Sequence, residues 1–265
     1  MAAVPLATDK MIADIDGAIG WMIFNNPARR NAVSLEMWRA IPDIFDAFEH
    51  NAAIRVIVLR GAGGTAFVSG LDISEFEDEF SSSRSAASVQ ALTARANQRI
   101  RTSAKPTIAM IEGFCIGAGV QIAANCDLRI AADTATFAIT AAKLGLGYPV
   151  ASLKRLIDVV GASFVKEIFY TARQFTAAEA ERMGLVNRLS PASELERNVR
   201  ATCETIAGNA PLTIAAVKQV VDTLTSTDGE LATCERAMQA CFDSADYAEG
   251  RRAFREKRKP VFTGR

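Results

Sequence analysis

Two glycine turns carry the residues with most chemical promise. One is GAGGTAFVSGLDISEF, residues 61–76; the other is IEGFCIGAGVQIAANCDLRIAAD, residues 111–133. In each, an apolar run meets glycines and a helical stretch begins. A turn of this kind leaves backbone N–H groups that the following helix cannot satisfy internally. Two such turns side by side can aim two N–H donors at one oxygen, and so stabilise an oxyanion or enolate with no titratable side chain. Taken singly, each turn is equally explained by tight packing of strand on helix, which glycine permits. Neither turn holds GxGxxG or the Gly-Lys-Ser/Thr of a phosphate loop.

The rest of the composition narrows the chemistry. There is one histidine, His50, so a zinc site of several imidazoles is excluded and a Ser-His-Asp triad would have to use that residue. His50 stands at the expected end of a helix, where a protonated ring suits the dipole. Thirty basic residues balance thirty acidic ones, which argues against a nucleic-acid binder. No apolar run reaches about 18 residues, and the N-terminus lacks the basic and apolar regions of a signal peptide. Five cysteines form no C-x-x-C pair, as expected of free thiols in a reducing cytoplasm. No metal site is expected.

The elements around these turns alternate. MIADIDGAIGWMIFNN predicts a hairpin about Asp16-Gly17. Ser34 predicts an N-cap for a helix to about residue 50, perturbed by Pro42. Strands are expected over 54–60, 107–113 and 127–133, a helix over 84–102, and a short helix over 118–124. This alternation indicates an α/β fold with parallel strands. From about residue 151 the pattern is helical, with separate helices over 151–161 and 162–172 and one short strand at 185–189. The basic end, 251–259, reads as a solvated helix face or an anion contact.

With both turns in view, the chain resembles the crotonase (enoyl-CoA hydratase/isomerase) superfamily over nearly its whole length. FNNPARRNAVSLEMW (24–38) is similar to the N-terminal signature. AFVSGLDISEF (66–76) and IEGFCIGAGVQIAANCDLRIA (111–131) resemble the two oxyanion-hole segments. FTAAEAERMGLVNRL (175–189), APLTIAAVK (210–218) and YAEGRRAFREKRKPVF (247–262) match later segments in the family order. The resemblance implies a spiral of ββα units over residues 1–190 and a helical trimerisation region over 191–265. It implies an acyl-CoA substrate, with no cofactor beyond the coenzyme A of the thioester, and a homotrimer or hexamer. The oxyanion donors would be the backbone N–H groups of Leu71 and Ala118. Ser69 would lie where the family grips adenine through main-chain contacts. Arg29 and Arg30 would meet CoA phosphates, and Phe254 and Lys257 would contact CoA, commonly across a subunit boundary.

The departures bear on the reaction. Where typical hydratases of the family carry two glutamates, this chain has Gln121 and Ala141. Glutamine can bond a water or carbonyl but takes no proton at neutral pH, and alanine does neither. The aspartate of family isomerases and the dehalogenase would align near Pro149. Decarboxylation of a malonyl-type thioester needs the oxyanion hole but no general base. Tyr148, in KLGLGYP, could orient its carboxylate, although the ordinary state of such a tyrosine is a packed ring with its hydroxyl at the surface. The chain is especially similar to methylmalonyl-CoA decarboxylases, which share this tyrosine but carry histidine in place of Leu71 and glutamate in place of Gln121. Thr140 and Cys115 are further pocket candidates. The alternatives are a hydratase or isomerase whose acid/base group comes from Glu75, Glu77 or Asp78, and a catalytically silent acyl-CoA-binding subunit.

Overall fold

The computed structural model describes residues 2–72, 83–225 and 230–265. A short strand, β1 (Ala2–Ala3), is followed by the expected hairpin of β2 (Met11–Asp16) and β3 (Ile19–Phe24). Gly17 turns it at φ +58°, a conformation that costs glycine nothing. Helix α1 (Leu35–His50) starts where Ser34 caps it, Oγ accepting the Met37 N–H at 3.4 Å. It runs on through Pro42 rather than ending there. Six large side chains of α1 (Met37, Trp38, Ile41, Ile44, Phe45, Phe48) are fully buried. At about 1.5–3 kcal/mol each, their burial outweighs the roughly 3 kcal/mol that an interior proline costs.

A strand–strand–helix unit then recurs. The first is β4 (Val56–Gly61), β5 (Ala66–Val68) and α2 (Ser83–Arg101). The second is β6 (Thr107–Ile111), β7 (Phe114–Ile116) and α3 (Ala118–Asn125). The third is β8 (Leu128–Ala132), β9 (Thr136–Ala138), a 3-10 turn (Ala141–Leu144) and α4 (Val150–Thr171). Next come β10 (Phe175–Thr176), α5 (Ala177–Arg182) and β11 (Arg188–Ser190). Four helices finish the chain: α6 (Leu195–Ala207), α7 (Pro211–Thr225), α8 (Leu231–Phe242) and α9 (Ala245–Glu256).

The first strands of the three units lie parallel in a seven-stranded sheet, β1-β2-β3-β4-β6-β8-β11. The second strands form a four-stranded sheet, β10-β9-β7-β5, in which β9, β7 and β5 are parallel. This is the ββα spiral with a helical C-terminal region. Glycines let its layers close. A Cβ on Gly113 would stand 1.9 Å from the Thr65 carbonyl oxygen, and one on Gly119 2.3 Å from that of Val68. The β6–β7 turn therefore rests on the residue before β5, and the start of α3 on the end of β5.

The two helices expected on either side of Gly161 are present: within Val150–Thr171 that glycine stands at φ +78°, ψ 158°, outside the helical region, and the helix breaks there. One boundary differs from expectation. The strand expected over 185–189 begins only at Arg188. Residues 185–187 instead hold the buried Arg129, whose Nε–H donates to the Leu185 carbonyl at 2.6 Å while its backbone exchanges bonds with Asn187. No helix among the described residues is long and apolar enough to cross a membrane.

Candidate active site

Closing the spiral brings the two glycine turns into contact. Gly70 (φ +125°) and Gly117 (φ +54°) face each other so closely that a Cβ on Gly117 would lie 3.8 Å from the Gly70 Cα. The first turn is held by a single parallel bridge between Val33 and Leu71. Val33 N–H donates to Gly70 O at 2.9 Å, and Asp72 N–H to Val33 O at 3.1 Å. In a parallel bridge of this kind the N–H of Leu71 points away from Val33, and it finds no acceptor among the described residues. Ala118 opens α3, so its N–H is one of the helix's unsatisfied donors; internal bonding starts with Gln121 N–H to Gly117 O, at 3.2 Å.

Leu71 and Ala118 both line one cavity of about 510 Å³, a size usual for small-ligand sites. Ser69, Gln121, Thr140, Ala141 and Tyr148 line it too, so the four expected catalytic positions and Ser69 come together. The opposite wall is Val89, Gln90 and Thr93 of α2, with Leu144 and Leu146 at the exposed rim. Among the described residues lining the cavity, Tyr148 is the one titratable side chain. Its ring packs edge-on against Phe169 at 4.7 Å between centroids. Its hydroxyl is buried with no hydrogen-bond partner, contrary to the surface position ordinary for such a residue. Burial pushes its pKa above the usual tyrosine value, which keeps it a neutral donor. The amide of Gln121 donates through Nε2 to Ser152 Oγ.

Other expected residues stand elsewhere. Arg29 and Arg30 belong to the loop that leads to Ser34 and do not line the cavity. They adjoin its rim: Ser69 O–H donates to the Arg29 carbonyl at 3.2 Å, and Ser69 N–H to that of Arg30 at 3.2 Å. The Arg29 guanidinium lies 3.8 Å from Asp72, and that of Arg30 sits over the Phe114 ring at 5.1 Å. Phe254 and Lys257, on and just after α9, are not brought to this cavity within one chain. Phe254 is 86% exposed and borders a second hollow between α7, α8 and α9. Cys115 is wholly buried in β7 and does not line the cavity, because its strand faces it into the core. His50 is exposed at the end of α1, its Nδ1–H donating to the Asp46 carbonyl at 2.7 Å, and is likewise not a lining residue. Glu75, Glu77 and Asp78 lie outside the described residues.

Several positioning residues carried no signal in the sequence. Asn31, buried at φ +56°, ties the arginine loop to the first turn by donating to the carbonyls of Ala62 and Ala66 at 2.9 and 2.7 Å. Asn125 bonds the Gln121 carbonyl at 2.9 Å and Asn97 of α2 at 3.2 Å, joining α3 to the opposite wall. The asparagine before the first turn was visible only as part of a motif, and the Asn97–Asn125 pair spans two helices.

A cavity of this form, with two backbone donors and no ionisable base among the described lining residues, suits stabilisation of an oxyanion. The enoyl-CoA hydratase/isomerase family model matches residues 14–265 of this chain. The chain therefore belongs to the enoyl-CoA hydratase/isomerase family, the crotonase superfamily. It is 30% identical over 253 residues to the short-chain-enoyl-CoA hydratase of Clostridium acetobutylicum, covering 95% of this chain and 96% of that one. It is 33% identical over 250 residues to the methylmalonyl-CoA decarboxylase of Escherichia coli, covering 91% and 93%. A crystal structure of an enoyl-CoA hydratase/isomerase family protein from Hyphomonas neptunium superposes with a TM-score of 0.92, at 36% identity, over 97% and 98% of the two chains.

Proposed function

We propose that this enzyme acts on an acyl-CoA thioester through an enolate, and that the reaction is decarboxylation of a malonyl-type thioester. The observation that carries this is the cavity lining: two unsatisfied N–H groups, at Leu71 and Ala118, and no carboxylate, imidazole or amine among the described lining residues. As the bond from the α-carbon to the carboxylate breaks, its electron pair moves into the thioester carbonyl and carbon dioxide leaves. The oxygen that gains the charge is stabilised by the two N–H donors, more strongly than the neutral carbonyl was. A proton then adds to the α-carbon. The buried hydroxyl of Tyr148 donates to the carboxylate and holds it out of the carbonyl plane, where the breaking bond overlaps the π system.

Arg29 and Arg30 would take the CoA phosphates, supported by their loop's contact with Ser69 at the rim, and Ser69 would meet the adenine. Phe254 and Lys257 would reach the CoA of a second copy in a homotrimer or dimer of trimers. Support comes from the apolar side chains left exposed on the last three helices, among them Val221, Leu224, Phe242 and Phe254. Sedimentation at the mass of a single chain would remove that assembly.

Hydration is the second reading, favoured by the names of relatives such as the Clostridium hydratase. One panel separates the two. Purified protein is expected to release carbon dioxide from at least one malonyl-type CoA ester and to leave crotonyl-CoA unhydrated. Hydration of crotonyl-CoA with no carbon dioxide from any member would overturn the decarboxylase reading.

A further inference from the structure

Gln121 is fixed at both ends. Its carbonyl accepts from Asn125 Nδ2, which is itself tied to Asn97, and Asn97 Nδ2 donates to the Thr93 carbonyl at 2.9 Å. Its side chain crosses to the first turn of α4, where Nε2 donates to Ser152 Oγ. Ser152 is buried at 9% exposure and lies just outside the cavity lining, so it meets a ligand only through Gln121. It is set there by the start of α4, its own N–H donating to the Pro149 carbonyl at 3.1 Å.

We propose that Ser152 is a positioning residue that sets which half of the Gln121 amide the cavity presents. With one Nε2–H engaged by Ser152, Oε1 is the end of the amide left without a partner among the described residues, and it only accepts hydrogen bonds. Gln121 Oε1 is thus a neutral acceptor in a lining that also includes Tyr148, whose buried hydroxyl has no partner. Ile116, Ile139, Ala141 and Leu71 supply apolar lining of the same cavity, with the Thr140 hydroxyl as a further polar group. An acyl group carrying an O–H donor, or a water held beside the acyl group, is what such an acceptor selects. This inference rests on the reading that the cavity takes the acyl end of a CoA thioester; it does not depend on decarboxylation.

The test uses two unreactive thioethers of coenzyme A, S-butyl and S-(3-hydroxybutyl), and measures their Kd values by calorimetry. The unaltered enzyme is expected to prefer the hydroxylated compound about fivefold, the range of one neutral hydrogen bond. Ser152→Ala is expected to bring the preference below twofold while leaving the S-butyl affinity and the Tm unchanged. Ser152→Thr, which keeps the hydroxyl, should retain it, and Ser152→Ala should add nothing in a Gln121→Leu background. A preference that stays at twofold or more in Ser152→Ala overturns the proposal. So does an equal loss of affinity for both compounds, which would mark a merely structural role. If the unaltered enzyme binds neither thioether, the acyl-CoA reading falls and this inference with it; if it binds both without preference, only this inference falls.

Discussion

Ala118→Pro is expected to lower kcat by about 10²–10³-fold, a loss of roughly 2.7–4 kcal/mol of transition-state stabilisation. A backbone donor cannot be removed by an ordinary substitution, but here the helix itself supplies a way. Ala118 is the first residue of α3, and proline is well tolerated there because that N–H has no partner inside the helix. The preceding residue also permits it. Gly117 stands at φ +54°, ψ −108°, the mirror image of the extended conformation that residues before proline adopt, and glycine reaches it without strain. The change therefore deletes the N–H and leaves the turn. Steady-state rates, with thermal melting on the same sample, check the expectation. Activity within about threefold of the unaltered enzyme would mean that the carbonyl oxygen is held elsewhere.

Tyr148→Phe is expected to reduce kcat by about 10–10²-fold with a much smaller change in affinity for the CoA portion. The hydroxyl is buried without a partner, so it is poised to donate to a ligand, and removing it leaves the ring's contact with Phe169 intact. The direction of its pKa gives a second signature. Burial disfavours the phenolate, so the folded protein keeps the donor form until the pH passes a value above the ordinary tyrosine figure of about 10. No other titratable side chain lines the cavity among the described residues. The turnover rate should accordingly show no ionisation step between about pH 6 and 9. An acidic limb in that range would reveal a carboxylate base and favour hydration.

The local signals in the sequence proved legible where one residue type dictates one conformation. Asp16-Gly17 turns the hairpin, Ser34 caps α1, and the second glycine turn precedes α3 as spacing suggested, while the helical stretch expected directly after the first turn lies outside the described residues. The second sheet was invisible. Its strands are two or three residues long, too short for an alternating pattern, and they exist because the spiral stacks them. Gly161 read as a helix stop, and its non-helical φ of +78° and ψ of 158° do break α4 there. Leu71, Ala118, Gln121 and Tyr148 were legible as a set only through motif resemblance. That they share a cavity depends on the contact of Gly70 with Gly117, 47 residues apart in the chain. Ser152 and the Asn97–Asn125 link escaped notice because nothing in their own segments distinguishes them from solvent-facing polar residues.

We propose that backbone N–H groups, rather than a side-chain base, perform the chemistry. A crystal structure with an unreactive malonyl-type CoA analogue that retains the carbonyl next to sulfur tests it most directly. The carbonyl oxygen is expected within about 3 Å of both Leu71 N and Ala118 N, with the carboxylate at Tyr148 Oη. A carbonyl oxygen bound away from those two nitrogens, or a carboxylate side chain standing against the α-carbon, would contradict it.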